Sequence, residues 1–543
     1  MDARSGNEAI IEQFLADGMR YMFGNPGTVE QGFLDALEKY DDFHYILTLQ
    51  ETVAVGIADG YARATGGPAL VQLHSGVGLG NGIGMMYQAK RGHTPLVVVA
   101  GESGVRYEAM DAQMAADLVA MARPVTKHAT RVTDPSSVLR VLRRAVKIAM
   151  TPPRGPVFVA LPLDVLDRPN DEPVVPSVIP HTVSAPDAGT IRTAAALLSG
   201  ATAPLVLFGD GVAASGAQAE LTRVAELLGA DAWGVEMSEV SIDARHPLFR
   251  GQVGHMFGEV SRAVVGEADA VLVVGTYLFP EVFPDLSSPF RPDARIVHVD
   301  LDAYEIAKNH PVTLGLVADP KATLAALAAE LTASMAPDER EAAAQRMLRA
   351  TERARPAPPG EESLLGAFAQ KLAERAPADL MVFDESLTAS GVLGAHLPPR
   401  LPGHWFQTRG GSLGVGIPGA IGMKIAHPGK TVVGFTGDGG SMYTIQALAT
   451  AVREGVGAKF VICNNRGYRL LDLNIEQYWR ERDIAPHAFP RSFDLAYPDL
   501  GFTDIARGMG VAAMRVEKLD QVEEAVERML LDDRPFLIDL ITE

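Results

Sequence analysis

The stretch Thr431–Gly467, TVVGFTGDGGSMYTIQALATAVREGVGAKFVICNNRG, decides the fold. An apolar run, Thr431 to Phe435, ends in Gly437-Asp438-Gly439, and Ile445, Leu448, Ala449 and Val452 then recur at helical spacing. A second apolar run, Lys459 to Ile462, stops at Asn464-Asn465. The segment reads as strand, helix, strand. A helical crossover between two such runs makes the strands parallel.

In a parallel sheet the loops leaving the carboxyl ends of the strands open on one edge, where α/β folds bind ligands. Asp438 and Asn465, 27 residues apart, are therefore expected to meet on that edge. A carboxylate, an amide oxygen and a loop carbonyl suit an octahedral Mg2+ that keeps room for water and diphosphate oxygens. The glycines beside Asp438 let the backbone approach phosphates, and the following helix offers its positive end. Gly-Asp-Gly alone is a common turn. Joined to Asn-Asn across this unit, it reads as a metal-diphosphate clamp.

The joined pattern resembles the binding motif of thiamin diphosphate (ThDP) dependent enzymes. The resemblance implies that Asp438, Asn465 and the Gly467 carbonyl ligate Mg2+. It also implies that Gly437, Asp438, Gly439, Gly440, Ser441 and Asn465 contact the cofactor.

At 543 residues the chain exceeds one core, and two to four domains are expected. A hydrophobic share of 47% with 21% charged residues is globular, and a formal charge of −19 without a dense Lys/Arg block argues against nucleic acid or an anionic membrane as partner. Anionic ligands must be held locally, by a metal, helix ends and a few cations. The single cysteine, Cys463, excludes an intrachain disulfide and is expected to be packed in the core. The start MDARSGNEAIIEQFL lacks the basic n-region and apolar core of a signal peptide, and no apolar stretch approaches bilayer length. A soluble, cytoplasmic protein is expected.

From the N-terminus, a helix over Asn7–Asp17, a strand over Tyr21–Phe23, a turn over Gly24–Thr28, a helix over Val29–Lys39, a strand over Tyr45–Leu49, a helix over Thr52–Ala64 and a strand over Ala69–Leu73 alternate as in a parallel α/β sheet. Gln50-Glu51 closes one strand, and His74-Ser75-Gly76-Val77-Gly78-Leu79-Gly80 forms a glycine loop after another. Taken singly, a glutamate at a helix start is a dipole partner and such a histidine a turn residue. The segments FGNPGTVEQGFLDAL, LQETVAVGIADGYARATG, LHSGVGLGN and HTPLVVVAG together resemble the pyrimidine-binding domain of the ThDP-dependent 2-oxoacid decarboxylase and acetolactate synthase superfamily. The pattern is most like the benzoylformate decarboxylases.

That resemblance implies that Glu51 bonds N1′ of the aminopyrimidine and promotes its imino tautomer, with His74 and Thr28 as further catalytic groups and Asn25, Pro26 and Gly27 at the cofactor. It also implies that the Gly411 carbonyl accepts from the 4′-amino group and that Leu413 wedges the cofactor into its bent form. Gln113, Arg409 and Tyr468 are the candidate substrate contacts. Residues 112–128 read as helix and linker, which makes surface helix the plainer reading of Gln113. A surface salt bridge is an equal reading of Arg409.

A linker is expected over Asp167–Pro186, then strands over Ala203–Gly209, Ala270–Gly275 and Arg295–Asp300 separated by helices, then a second linker ending at Pro356-Ala357-Pro358-Pro359. The middle unit resembles the superfamily's Rossmann-like domain, which holds FAD in some members. Gly209-Asp210-Gly211-Val212 is not a GxGxxG fingerprint, so structural filler is the default and FAD the minority alternative.

Two departures stand out. Where benzoylformate decarboxylases place a second catalytic histidine, the loop GTYLFPEVFPDL has none near Val282, and Thr28 replaces the family's serine. His255 is a minority substitute.

The expected fold is α/β, with three doubly wound parallel-sheet domains: pyrimidine-binding (1–166), central Rossmann-like (187–333) and diphosphate-binding (360–543). The function implied is ThDP- and Mg2+-dependent, non-oxidative decarboxylation of a 2-oxoacid through an enamine. The alternative is an acetolactate synthase-like or benzaldehyde lyase-like carboligase that joins the fragment to an aldehyde. A non-catalytic ThDP-binding subunit is a third class, disfavoured because Glu51, Asp438 and Asn465 are all present. The resemblance implies a homodimer or homotetramer with active sites between subunits.

Overall fold

The computed structural model describes residues 4–353 and 362–542, so the linker prolines Pro356–Pro359 lie outside the described residues. The chain folds into two compact units. One comprises Met1–Pro180, Pro358–Leu397 and Thr408–Glu543; the other comprises His181–Ala357 and Pro398–Gln407. The architecture is α/β, built on three parallel sheets.

The first sheet contains β1 (Tyr21–Gly24), β2 (His44–Leu47), β3 (Ala69–His74), β4 (Leu96–Glu102), β5 (His128–Arg131) and β6 (Val157–Pro162), in the order β2-β1-β3-β4-β6-β5. β3, β4 and β6 are almost wholly buried apolar runs, as strands covered on both faces must be. Helices Gly6–Ala16 and Val138–Met150 pack Ile10, Phe14, Leu139 and Leu142 against Val97, Val99, Val157 and Val159.

In the second unit, β7 (Pro204–Phe208), β8 (Asp231–Val235), β9 (Phe249–Val253), β10 (Ala270–Val274), β11 (Arg295–Asp300) and β12 (Leu314–Val317) run β12-β11-β10-β7-β8-β9. Strand alternation sends Val206, Phe208, Leu272 and Val274 into one core and Leu205, Leu207, Val271 and Val273 into the other. The expectation of helices between all the strands is corrected here. β10 and β11 are joined by an irregular segment, residues 275–294, in which four prolines break helical propagation. The loop at Gly209 is closed by Asp210, whose Oδ1 accepts from the Ser238 and Glu239 N–H groups at 2.7 and 3.1 Å.

The remaining strands are β13 (Met381–Glu385), β14 (Trp405–Gln407, in the second unit), β15 (Val432–Gly437), β16 (Lys459–Asn464), β17 (Ala512–Val516) and β18 (Phe536–Ile541). β13, β15, β16, β18 and β17 pair in that order, all parallel. The expected strand-helix-strand unit is present, with its crossover split into a short helix at Asp438–Ser441 and a second at Ala447–Arg453. Ile445 and Leu448 are buried as expected, whereas Val452 is exposed.

Helix Glu51–Thr65 packs directly on helix Gly416–Ala426. A Cβ on Gly422 would lie 2.0 Å from the Ile57 carbonyl oxygen, and one on Gly60 would lie 2.1 Å from that of Gly419. The two backbones therefore touch, and neither obstruction is a side chain that can swing away. Gly422→Ala is expected to destabilise the apoprotein by about 3 kcal/mol, the upper part of the overpacking range. Thermal unfolding tests this. A melting curve superimposable on wild type would show that the helices separate freely.

Among the described residues, no helix is long and apolar enough to cross a membrane.

Candidate active site

Asp438 sits where β15 ends, at the start of a turn of helix, and is buried. Its Oδ1 accepts from the Gly439 N–H at 2.8 Å and its Oδ2 from the Gly467 N–H at 3.2 Å. Asn465 Oδ1 accepts from the same Gly467 N–H at 3.1 Å. The two loops thus meet on one sheet edge, as the strand-helix-strand reading requires. Burial pushes the Asp438 carboxyl above the usual carboxylate range, and the backbone N–H groups only partly offset this. Among the described residues no lysine or arginine pairs with it. A desolvated carboxylate beside an amide oxygen is a donor set that fits a hard divalent cation. Among the described residues no group of three or more His, Cys, Asp or Glu side chains is placed to hold a metal ion.

Gly437 faces open space, whereas a Cβ on Gly439 would lie 2.4 Å from the Tyr468 ring, so Tyr468 covers that turn. The Gly440 position faces Glu385 and Thr436, and Ser441 Oγ donates to the Asp438 carbonyl at 2.7 Å. Gly411 has φ +73° and nothing within 4 Å of a built Cβ. Leu413 is half-buried.

Sequence reasoning passed over Glu385, at the end of β13. Its fully buried carboxylate accepts from the Gly414 N–H, from the Gly416 N–H at 2.5 Å and from Thr436 Oγ1 at 3.2 Å, fixing the loop that carries Gly411 and Leu413. Burial pushes its pKa up to about 7. The signal was present: an acid inside an apolar strand needs partners. Because the folded-state value exceeds the unfolded one, the unfolded chain binds fewer protons between them. Stability contributed by the protonated form is full below pH ~4.5 and is lost as pH rises to ~7. Unfolding of the apoprotein should show a drop of roughly 3 kcal/mol across that window from this group. Glu385→Gln should remove that slope; an unchanged slope would assign it elsewhere.

The second cluster lies on the carboxyl edge of the first sheet. Glu51 opens its helix, is 5% exposed, and accepts from Asn25 Nδ2 at 3.2 Å and Asn81 Nδ2 at 3.0 Å. His74 Nδ1 lies 3.0 Å from Glu30 Oε2. A Cβ on Gly78 would come within 3.2 Å of Glu51 Oε1 and 3.3 Å of His74 Cβ, so the two side chains flank one glycine. Gly27 is required as glycine because its Cβ would strike the His74 ring at 2.0 Å. The glycine loop expected after His74 is instead helical, Ser75–Arg91, with Gly76 against Ala116 and Leu118, Gly78 against Glu51, Gly80 open and Gly82 against Leu73. Glu30 and Asn81 lie inside the segments FGNPGTVEQGFLDAL and LHSGVGLGN, but the pattern was read without a role for either.

Leu49, Ser75 and Arg466 adopt φ of 60°, 49° and 56°, each within two residues of Glu51, His74 or Asn465. Left-handed backbone at a side-chain-bearing residue costs free energy and concentrates at functional sites.

Other candidates disperse. Thr28 and Pro26 are exposed; Gln113 is exposed on a turn, correcting the helix expected there, because the helix starts only at Leu118. Arg409 is half-buried beside Gly92. His255 is exposed, 3.7 Å from Glu236. Cys463 is buried. No hydrogen bond or ion pair among the described residues joins the Glu51 cluster to the Asp438 cluster.

Models of the thiamine pyrophosphate enzyme N-terminal TPP binding domain, central domain and C-terminal TPP binding domain match residues 4–121, 191–327 and 388–540. The chain belongs to the thiamin diphosphate enzymes. Benzoylformate decarboxylase of Pseudomonas aeruginosa is 32% identical over 99% of this chain and 98% of the relative. A probable acetolactate synthase large subunit of Methanocaldococcus jannaschii is 30% identical over 99% and 92%. A solved Rhodococcus jostii ThDP-dependent 4-hydroxybenzoylformate decarboxylase superposes with a TM-score of 0.85 at 26% identity, covering 99% of each chain. This ThDP enzyme is thus of the decarboxylase and acetolactate synthase kind, a family whose members act on small 2-oxoacids.

Proposed function

We propose that the protein cleaves a 2-oxoacid non-oxidatively, releasing CO2 and an aldehyde, with ThDP and Mg2+ as cofactors. The observation that carries this reading is the Glu30–His74 pair beside Glu51, because aldehyde release needs a group that delivers a proton next to the cofactor. Bound ThDP supplies the electron sink for the carbon that loses CO2.

The chain's own residues divide the remaining work. Asp438, Asn465 and the Gly467 carbonyl would hold Mg2+, and Gly437, Gly439, Gly440 and Ser441 the diphosphate. Glu51, oriented by Asn25 and Asn81, would hold a proton at the pyrimidine N1′. The Gly411 carbonyl and Leu413 would orient the ring, with Pro26 and Gly27 closing over it. His74 would exchange a proton with the reacting carbon, and Thr28, Gln113, Arg409 and Tyr468 would face substrate. The domain division 1–166, 187–333 and 360–543 belongs to the same reading, as does a homodimer or homotetramer whose subunits each supply one cluster. FAD is the minority alternative for the central domain, and the colour of the purified protein tests it.

One observation favours a second reading. The loop Gly275–Leu286 carries no histidine where benzoylformate decarboxylases place their second one. Slower proton delivery would favour capture by a second carbonyl. Purified holoenzyme given 2-oxoacids singly and with aldehydes, with products identified by mass spectrometry, separates the readings. Free aldehyde as the main product supports the decarboxylase; hydroxyketone as the main product overturns it in favour of the carboligase.

A further inference from the structure

Glu30 has a second side. It lines a cavity of about 270 Å3 whose other polar walls include Gln72, Asn7 and Asp167. Glu30 and Gln72 are 7% and 2% exposed, yet among the described residues neither Glu30 Oε1 nor Gln72 Nε2 makes a well-formed hydrogen bond. Buried polar atoms in native proteins find protein or water partners, and orphans facing a polar cavity of this size call for water. Thr28 and Gln31, at the rim, are exposed, so the cavity communicates with solvent.

We propose that this cavity holds a water chain that feeds protons through Glu30 to His74, making Glu30 a positioning and relay residue for the decarboxylation. The inference rests on the proposed decarboxylase reading. In each turnover the bond to the carboxylate carbon breaks, its electron pair stays on the carbonyl carbon, and one solvent proton completes a new C–H bond. His74 gives that proton from Nε2 and takes another at Nδ1 from Glu30 Oε2; after the aldehyde leaves, exchange with water in the open site returns the imidazole to the Nε2–H tautomer. Cavity water reloads Glu30 at Oε1, and the charge returns to bulk solvent.

Burial raises the Glu30 carboxyl above the usual range, with His74 and the backbone N–H groups of Gly101 and Gly27 partly opposing this. The titratable groups around it are His74 on the helix start and Tyr45 on β2, with Asp167 on the cavity wall.

The test uses the ThDP- and Mg2+-loaded wild type, Glu30→Gln, and Leu163→Trp, which puts bulk into the cavity and leaves Glu30 in place. Two assays run in H2O and D2O: aldehyde release, and CO2 release with an added two-electron dye that oxidises the substrate fragment to the acid and so removes the need for protonation. Both variants are expected to lose aldehyde release by on the order of 10²-fold, with a larger solvent isotope effect, while dye-coupled CO2 release stays near wild type. Equal loss in both assays would make Glu30 merely structural and overturn the relay. Unchanged aldehyde release in either variant would also overturn it. No CO2 from wild type in either assay would overturn the decarboxylase reading, and the relay with it.

Discussion

Glu51→Gln is expected to lower kcat by about 10³-fold while leaving ThDP affinity nearly unchanged, a loss within the range measured for positioned acid–base groups. The carboxylate is buried and faces two amide donors, Asn25 Nδ2 and Asn81 Nδ2. Glutamine keeps the shape and one acceptor, so folding should lose only about 1 kcal/mol for the bond no longer made. What glutamine cannot do is carry negative charge or hold a proton at a ring nitrogen. Steady-state turnover, with cofactor binding followed by circular dichroism, separates the two effects. Wild-type turnover in the variant would remove Glu51 from the proton chemistry. Loss of cofactor binding in step with turnover would make it a binding residue instead.

Asp438→Asn should act in the opposite pattern. The carboxylate lies buried with only backbone N–H partners among the described residues, an arrangement that costs free energy until a cation joins it. Neutralising it should leave the apoprotein as stable as wild type or slightly more so. Affinity for Mg2+ and ThDP together should fall by more than about 10²-fold, beyond the loss typical of residues that only support metal ligands. Thermal unfolding with and without cofactors measures both. Equal cofactor-induced shifts in variant and wild type would place the cation elsewhere.

Much of this was legible in the sequence because local rules agreed with tertiary ones. Apolar runs ending in glycine or asparagine at Gly437 and Asn464 can be little other than strands of a buried parallel sheet, and parallel strands bring their carboxyl ends together. That geometry unites Asp438 with Asn465 without further information. Glu51 and His74 were visible only through the family pattern, since a helix-start glutamate and a strand-end histidine are commonplace by themselves.

The rest failed for physical reasons. The glycines after His74 suggested a loop, yet the segment is helical, and Gly78 lets it pass close to Glu51, whose Oε1 would lie 3.2 Å from a Cβ there. Glu30, Asn81 and Glu385 escaped notice because partners 44, 30 and 29 residues away define them, and such distances are set by the sheet. Strands β8, β9 and β12 carry polar or glycine interruptions that weaken the apolar pattern, so packing on stronger neighbours decides them.

The most direct measurement follows CO2 release from a panel of 2-oxoacids by the purified protein, with ThDP and Mg2+ added, omitted singly, or removed by chelation. The account predicts CO2 from at least one acid, dependent on both cofactors and lost on chelation. No CO2 from any acid by the cofactor-loaded protein, or release indifferent to ThDP, would contradict it.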